Sequence, residues 1–186
     1  PCRLKYSLVD ANGNLIADKR YLLSLRDLNL SHSMGELVDA GVCSFKIEGR
    51  LKNKAYVMNV VGYYRQLLDH ILNERGIRAS SSGKVKLDFS PNPSKTFNRG
   101  YTTFFLHGRD KNITSMDTPK STGEPLGVVD SISKGNIKLK NADVQLHPGD
   151  GLCYFDVQHE IMGTYVNAVN AKGFRVDQPQ GLRPGT

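Results

Sequence analysis

The chain has 186 residues, 39% of them hydrophobic and 23% charged, with a formal net charge of +7. That is enough apolar material for a packed core, which excludes an intrinsically disordered chain, and no apolar run approaches the ~20 residues that span a bilayer. The opening Pro1-Cys2-Arg3-Leu4-Lys5 lacks the apolar stretch of a signal peptide. A start without Met, in what looks like a loop entering a strand, reads as an upstream cut in a longer cytoplasmic protein.

Residues 5–25 predict a β-hairpin, with one strand over 5–10 and the second containing Tyr21-Leu22-Leu23-Ser24-Leu25. Asn12-Gly13 between them supplies the positive φ angles of a tight turn. A short helix over about 33–40 follows, with Leu37 and Val38 as apolar contacts and Gly41 placed to end it in the left-handed conformation. Residues 42–47 predict a strand, with Val42, Ser44 and Lys46 on one face and Cys43, Phe45 and Ile47 on the other. Val57, Val60, Val61, Tyr64, Leu67, Leu68 and Ile71 recur at helical spacing, so 53–74 predicts a long helix, with Arg65 and Asp69 paired and Gly76 as its cap. The small, polar stretch 79–83 reads as a linker, and 84–122 as irregular connecting chain with a helical turn near 103–106. From Gly123 the texture becomes short β segments, 126–132, 136–140, 151–156, 161–169 and 174–176, separated by turn formers. Residues 181–186 read as a second cut or a loose tail. The domain boundaries are therefore 1–78, 79–122 and 123–186, in a mixed α+β chain.

Chemistry concentrates in Lys46-Ile47-Glu48-Gly49-Arg50. Two cations and a carboxylate lie within one turn, after a strand and before a long helix, where βα architectures gather ligand and catalytic groups. Arg50 is suited to a phosphate or carboxylate, and Gly49 to a tight bend. The alternative is a structural ion network. In Phe97-Asn98-Arg99-Gly100-Tyr101, Asn98 and Arg99 are candidate RNA-binding residues beside stacking aromatics, the alternative being an exposed turn. His159-Glu160 lacks the second His of a zinc-protease helix, and no serine-hydrolase elbow or phosphate loop is present. Cys2, Cys43 and Cys153 are odd in number and widely spaced, as reduced thiols would be. The excess of cations favours an anionic partner, RNA foremost, although the cations look scattered along the chain.

These blocks, with Tyr21-Leu22-Leu23-Ser24-Leu25-Arg26-Asp27-Leu28, Asp39-Ala40-Gly41-Val42, Tyr63-Tyr64-Arg65 and Thr118-Pro119-Lys120, resemble the collagenase-like peptidase family, U32, of unknown catalytic type. The resemblance covers about residues 1–130. It implies a barrel of alternating strands and helices followed by accessory domains. This chain would supply the closing strand and helix of that incomplete barrel, plus a small β-barrel-like C-terminal domain.

The resemblance further implies hydroxylation of a pyrimidine base in tRNA or ribosomal RNA, with collagenase-like proteolysis or a non-catalytic RNA- or protein-binding module as alternatives. Lys46, Glu48 and Arg50 then stand at the pocket edge. It also implies an iron–sulfur cluster in the full-length protein. Cys2 matches the last Cys of a Cys-x-x-x-Cys-Arg segment whose other ligands lie upstream, so no cofactor is expected in this chain alone. A partial barrel would leave apolar surface open, which predicts a homodimer or domain exchange.

Overall fold

The computed structural model describes residues 1–80, 82–140, 145–177 and 179–186. The chain divides into two units, Leu25–Ser115 and Pro1–Ser24 with Met116–Thr186. The hairpin, grouped with the long helix in the sequence reading, thus clusters with the C-terminal sheet, and residues 84–115, read as connecting chain, cluster with the helix. Of the expected linker 79–83, Ser81 lies outside the described residues.

In the first of these units, helix ends are written into the sequence. Helix α1, Met34–Asp39, follows a single 3-10 turn at Ser31–Ser33. It closes with Gly41 N–H donating to Val38 O and Val42 N–H to Leu37 O, both at 2.9 Å, around Gly41 at φ +89°. Helix α2, Lys54–Glu74, starts at Asn53, whose side chain accepts from Tyr56 N–H at 2.9 Å, and closes the same way through Gly76 and Ile77. Both ends are Schellman motifs, in which a left-handed glycine lets two backbone donors satisfy the last carbonyls. Arg75 then forks onto Asp39 at 2.6 and 2.8 Å and joins the two helix ends. Arg65 and Asp69 pair as their spacing predicts.

The buried face of α2 is rotated from the expected stripe. Val60 and Ile71 are buried, and Tyr64, Leu67 and Leu68 half-buried, but Val57 and Val61 remain 41% and 43% exposed. Asn59 and Gly62 take their place. The Asn59 amide donates to Asn92 O and accepts from Asn92 N–H, each at 2.7 Å. A Cβ on Gly62 would lie 2.9 Å from Leu87 Cδ1. Residues 87–92 therefore lie against a polar and a bare position that hydrophobic periodicity passes over. A short parallel pair, β3 (Asp27–Leu28) with β4 (Tyr101–Thr102), belongs to this unit. Residues 103–108 turn, but not as the helical turn expected over 103–106, since Phe104 sits at φ +56°, in the left-handed region. Residues 42–47 are not a strand: they have no ladder partner among the described residues and are mostly exposed. Alternation alone cannot make a strand where no neighbour supplies hydrogen bonds.

The other unit holds a hairpin and a sheet. Strands β1 (Tyr6–Val9) and β2 (Leu15–Arg20) pair antiparallel. The second strand therefore begins directly after the turn rather than at the more apolar Tyr21–Leu25 run. Asp10 sets that register: its carboxylate accepts Asn12 and Asn14 N–H and the Asn14 side chain, all at 2.8 Å. These bonds, the Asn14 side chain first, hold its carboxyl below the usual range. Lys5 pairs with Glu160 and Arg20 with Asp117, tying the hairpin to the later chain.

Strands β5 (Val128–Ser133), β6 (Asn136–Lys140), β7 (Gly151–Phe155), β8 (Ile161–Asn170) and β9 (Gly173–Val176) form one antiparallel sheet in the order β5-β6-β9-β8-β7. The expected segments are all there, within two residues at each end. The fold class is mixed α/β with a five-stranded sheet, and no closed barrel is found among the described residues. Val129, Ile137, Val166 and Phe174 form the core, with Leu139, Leu152, Val176 and Leu182 against it. The expected loose tail is docked: Gly185 N–H donates to Val129 O, and Val129 N–H to Thr186 O, at 2.8 Å each.

Gly173 is the tightest point of this sheet. It sits at φ +129°, and a Cβ there would lie 2.1 Å from Ile137 O. Gly173→Ala should cost about 2–4 kcal/mol of unfolding free energy. Gly135→Ala, at φ +77° but with nothing within 4 Å, should cost about 1 kcal/mol. Urea unfolding of both variants measures the difference; equal losses would mean the Gly173 contact relaxes freely.

Candidate functional site: the 46–56 turn and the 97–101 loop

The turn into α2 passes through Leu51 at φ +62°. Lys52 N–H closes it onto Gly49 O at 3.0 Å, and a Cβ on Gly49 would already touch Val57 Cγ2 at 3.4 Å. On the solvent side of this turn Lys46 pairs with Glu48 at 2.9 Å, with both side chains largely exposed. The hydrogen bond to Glu48, followed by its charge, raises the Lys46 pKa. An ion pair this exposed contributes little to stability, so stability does not explain its presence. Arg50 stands exposed in the same turn.

The 97–101 loop is held from within and from β3. Asn98 is buried, and its amide donates to Ser94 O and Thr96 O at 3.0 Å and accepts from Gly100 N–H at 3.1 Å. It shapes the loop. Arg99 N–H donates to Asp27 Oδ2 at 2.8 Å, and its guanidinium forks onto the same carboxylate at 3.0 and 3.3 Å. Beside it Tyr101 is half-buried, and its hydroxyl is pushed up to about 12, by burial first and then by Tyr56 and Asp27.

The two segments meet through a residue that sequence reasoning missed. Lys52 Nζ lies 3.2 Å from the centroid of the Phe97 ring and 5.4 Å from that of Tyr56, while the Arg99 guanidinium carbon lies 5.4 Å from Phe97. Phe97 is therefore flanked by two cations, a cation–π arrangement. The Lys52/Tyr56 spacing of four was a legible signal; Asp27, seventy-two residues from Arg99, had none. Elsewhere in this unit, Ser33 Oγ lies 3.0 Å from His107 Nε2. Ser33 is only 4% exposed, so this hydroxyl fastens the 103–108 turn rather than meeting a peptide.

Among the described residues no group of His, Cys, Asp and Glu is placed to hold a metal ion. Cys2, Cys43 and Cys153 are unpaired thiols. Cys153 donates to Thr122 O at 3.3 Å, and burial pushes its pKa up, the opposite of an activated thiolate. His159 sits in a β turn stacked on Phe155 and 3.2 Å from Asp117, not on a helix.

The model of peptidase family U32 matches residues 1–116. The chain belongs to this family. It is 40% identical over 173 residues to a 23S rRNA 5-hydroxycytidine synthase of Escherichia coli, covering 92% of this chain and 26% of that protein. It is 38% identical over 137 residues to a tRNA hydroxylation protein of Bacillus subtilis, covering 69% of this chain and 31% of the relative. A collagenase of Porphyromonas gingivalis is 35% identical over 72 residues, 39% of this chain and 20% of the relative. The chain thus spans about a quarter of the length of the curated relatives it matches. No solved structure matches. Among the described residues no helix is long and apolar enough to cross a membrane.

The Tyr101 phenol offers a direct check on the loop. Its pKa stands at 10.0 in the unfolded reference and about 12 in the fold. The stabilisation is complete below the lower value and is lost as pH rises through the higher. Spectroscopic titration of tyrosinate should show a late-ionising phenol that disappears in Tyr101→Phe, and the variant should lose less stability than wild type above pH 10.

Proposed function

We propose that the protein containing this chain hydroxylates a pyrimidine base of RNA at the 5-position in the cytoplasm. The observation that carries this reading is the identity, extending over 92% of the chain, to a protein named as an rRNA 5-hydroxycytidine synthase. The tRNA hydroxylation relative supports it further. In this reading Lys46, Glu48 and Arg50 stand at the rim of the site, Arg99 meets RNA beside Phe97, and Asn98 holds that loop in shape.

Hydroxylation replaces a C5–H bond with C5–OH and removes two electrons from the base. Lys, Glu and Arg accept no electrons, so these residues bind and orient; the oxygen donor and electron acceptor come from other groups. Cys2 is exposed and fits the role of one thiolate ligand of an iron–sulfur cluster, which supplies electron transfer when bound. A single thiolate cannot hold a cluster, so its remaining ligands would come from outside these 186 residues.

Proteolysis is the competing reading, favoured by the similarity to a collagenase. Deleting the gene separates the two. The expected result is loss of one hydroxylated pyrimidine from cellular RNA by mass spectrometry, restored by the full-length wild type. Glu48→Gln and Arg50→Ala should not restore it while melting at the wild-type temperature. Losing an Arg50 contact worth about 1.5–3 kcal/mol weakens binding at least tenfold. Unchanged RNA, with collagen cleavage by the pure protein, would establish the protease. Activity lost only in step with stability would assign the residues to a structural network.

The apolar side of α2 supports the barrel reading. Leu51, in the turn before α2, is 95% exposed, and Met58 stands exposed beside Val57 and Val61. These positions suit cover by further strands and helices in the whole protein. The isolated chain should dimerise through them, and light scattering at high concentration should give twice the chain mass, reverting to a monomer in Val57→Glu/Val61→Glu.

A further inference from the structure

The net charge is not spread evenly. Residues 134–140 and 172–176 contain Lys134, Lys138, Lys140, Lys172 and Arg175 and no carboxylate, so they account for +5 of the chain's +7. These segments are β6, β9 and the turns that lead into them, and the two strands are neighbours in the sheet, with Ile137 opposite Phe174. Ile137 and Phe174 point into the core. Alternation along each strand therefore puts Lys138, Lys140 and Arg175 together on the opposite, open face. All five cations are exposed, and among the described residues none joins an ion pair.

This face also has an unusual floor. Lys138 Cγ lies 3.5 Å from where a Cβ on Gly173 would be, so the lysine stem crosses a bare position. Two strands away from β6, Tyr165 in β8 pairs with Gly151 in β7, and its ring carbon Cε1 lies 3.7 Å from the Cβ position of that glycine. Tyr165 is nevertheless 62% exposed. The ring shields a glycine on one side and offers its other side to solvent. Arg175 lies between, its fork held along the sheet by Asn136 Oδ1 at 3.3 Å and Lys134 O at 3.4 Å. Two carboxylates stand beside this face: Asp130, in the β5 bulge opposite the Lys138–Leu139 stretch, and Asp177, whose N–H donates to Tyr165 O at 3.3 Å and whose carboxylate accepts the Asn167 amide at 2.8 Å.

We propose that the open face of this sheet, Lys138, Lys140 and Arg175 with Tyr165, binds single-stranded RNA, the cations tracking phosphates and the tyrosine stacking on a base. A surface that pairs concentrated positive charge with one exposed aromatic fits a polyanion that also carries flat, apolar bases. Charge alone would also serve an acidic protein or a lipid headgroup; the stacking ring beside it adds the contact that an unpaired base makes. The inference rests on the RNA reading given above and adds a substrate-holding surface distinct from the 46–56 and 97–101 segments.

The test uses the 186-residue chain and a short fluorescein-labelled single-stranded RNA, with affinity followed by anisotropy across a salt series. Lys138→Ala/Lys140→Ala/Arg175→Ala should lower the slope of log affinity against log salt by about 2. Tyr165→Leu, which keeps Gly151 covered, should bind at least fivefold more weakly with the slope unchanged. Both should melt like wild type. The proposal is overturned if either variant binds RNA as wild type does. It is also overturned if Lys19→Ala/Lys84→Ala/Lys111→Ala loses as much slope as the sheet variant, or if the chain binds phosphatidylserine vesicles through this face and not RNA. Intact RNA binding in these assays, beside unchanged nucleosides in the deletion strain, would remove the hydroxylation reading and leave this surface standing.

Discussion

One carboxylate organises the candidate site. Asp27 takes the backbone N–H and the guanidinium of Arg99 while its own strand pairs with Tyr101. Charge-assisted bonds of this bidentate kind are short and directional, so the loop from Phe97 to Tyr101 has one position rather than several. Phe97 is thereby presented to Lys52, and the turn that carries Lys46, Glu48 and Arg50 is anchored to the same region through Lys52. The partly buried Asp27–Arg99 pair and the buried Asn98 amide form the frame. The exposed groups of the turn are what remains available to a ligand.

That division between frame and face separates ion pairs that join elements of the fold from one that does not. Arg75–Asp39 and Arg65–Asp69 bridge elements of the fold. Lys46–Glu48 bridges nothing: its members are two residues apart and face solvent. An exposed pair of this kind gains little energy, and its charges are cheap to redirect toward an incoming phosphate or base. None of these side chains carries redox chemistry, so under the hydroxylation proposed above they would serve binding and orientation.

The sheet shows the same economy by different means. Its inner face is a small cluster of four buried apolar side chains, while its outer face is kept bare at Gly173 and roofed by one ring at Gly151. Gly173 is required by the approach of the Ile137 carbonyl. A larger residue there would separate the two strands that carry most of the net charge. Core geometry and surface charge density are therefore linked through a single glycine.

Local signals determined much of this protein from its sequence. The Schellman glycines Gly41 and Gly76, the Arg65–Asp69 pair, the α2 boundaries and the five C-terminal strands all depend on neighbours a few residues away. Backbone strain, capping and periodicity act at that range. The motifs of the U32 family, and with them the 46–50 turn as a candidate site, were legible for the same reason. What tertiary structure alone decided lies at longer separation. The face of α2 turned on Asn59 and Gly62 meeting residues 87–92, which no apolar pattern announces. Residues 42–47 lost their strand because no ladder partner meets them among the described residues. Lys52 joined the site because Asp27 held Arg99 from far along the chain. The cations of 134–140 and 172–176 look scattered in sequence and become one surface only when β6 and β9 pair. Sequence reports the preferences of single segments; which segments meet depends on the free energy of contacts between them, and that is settled only by the fold.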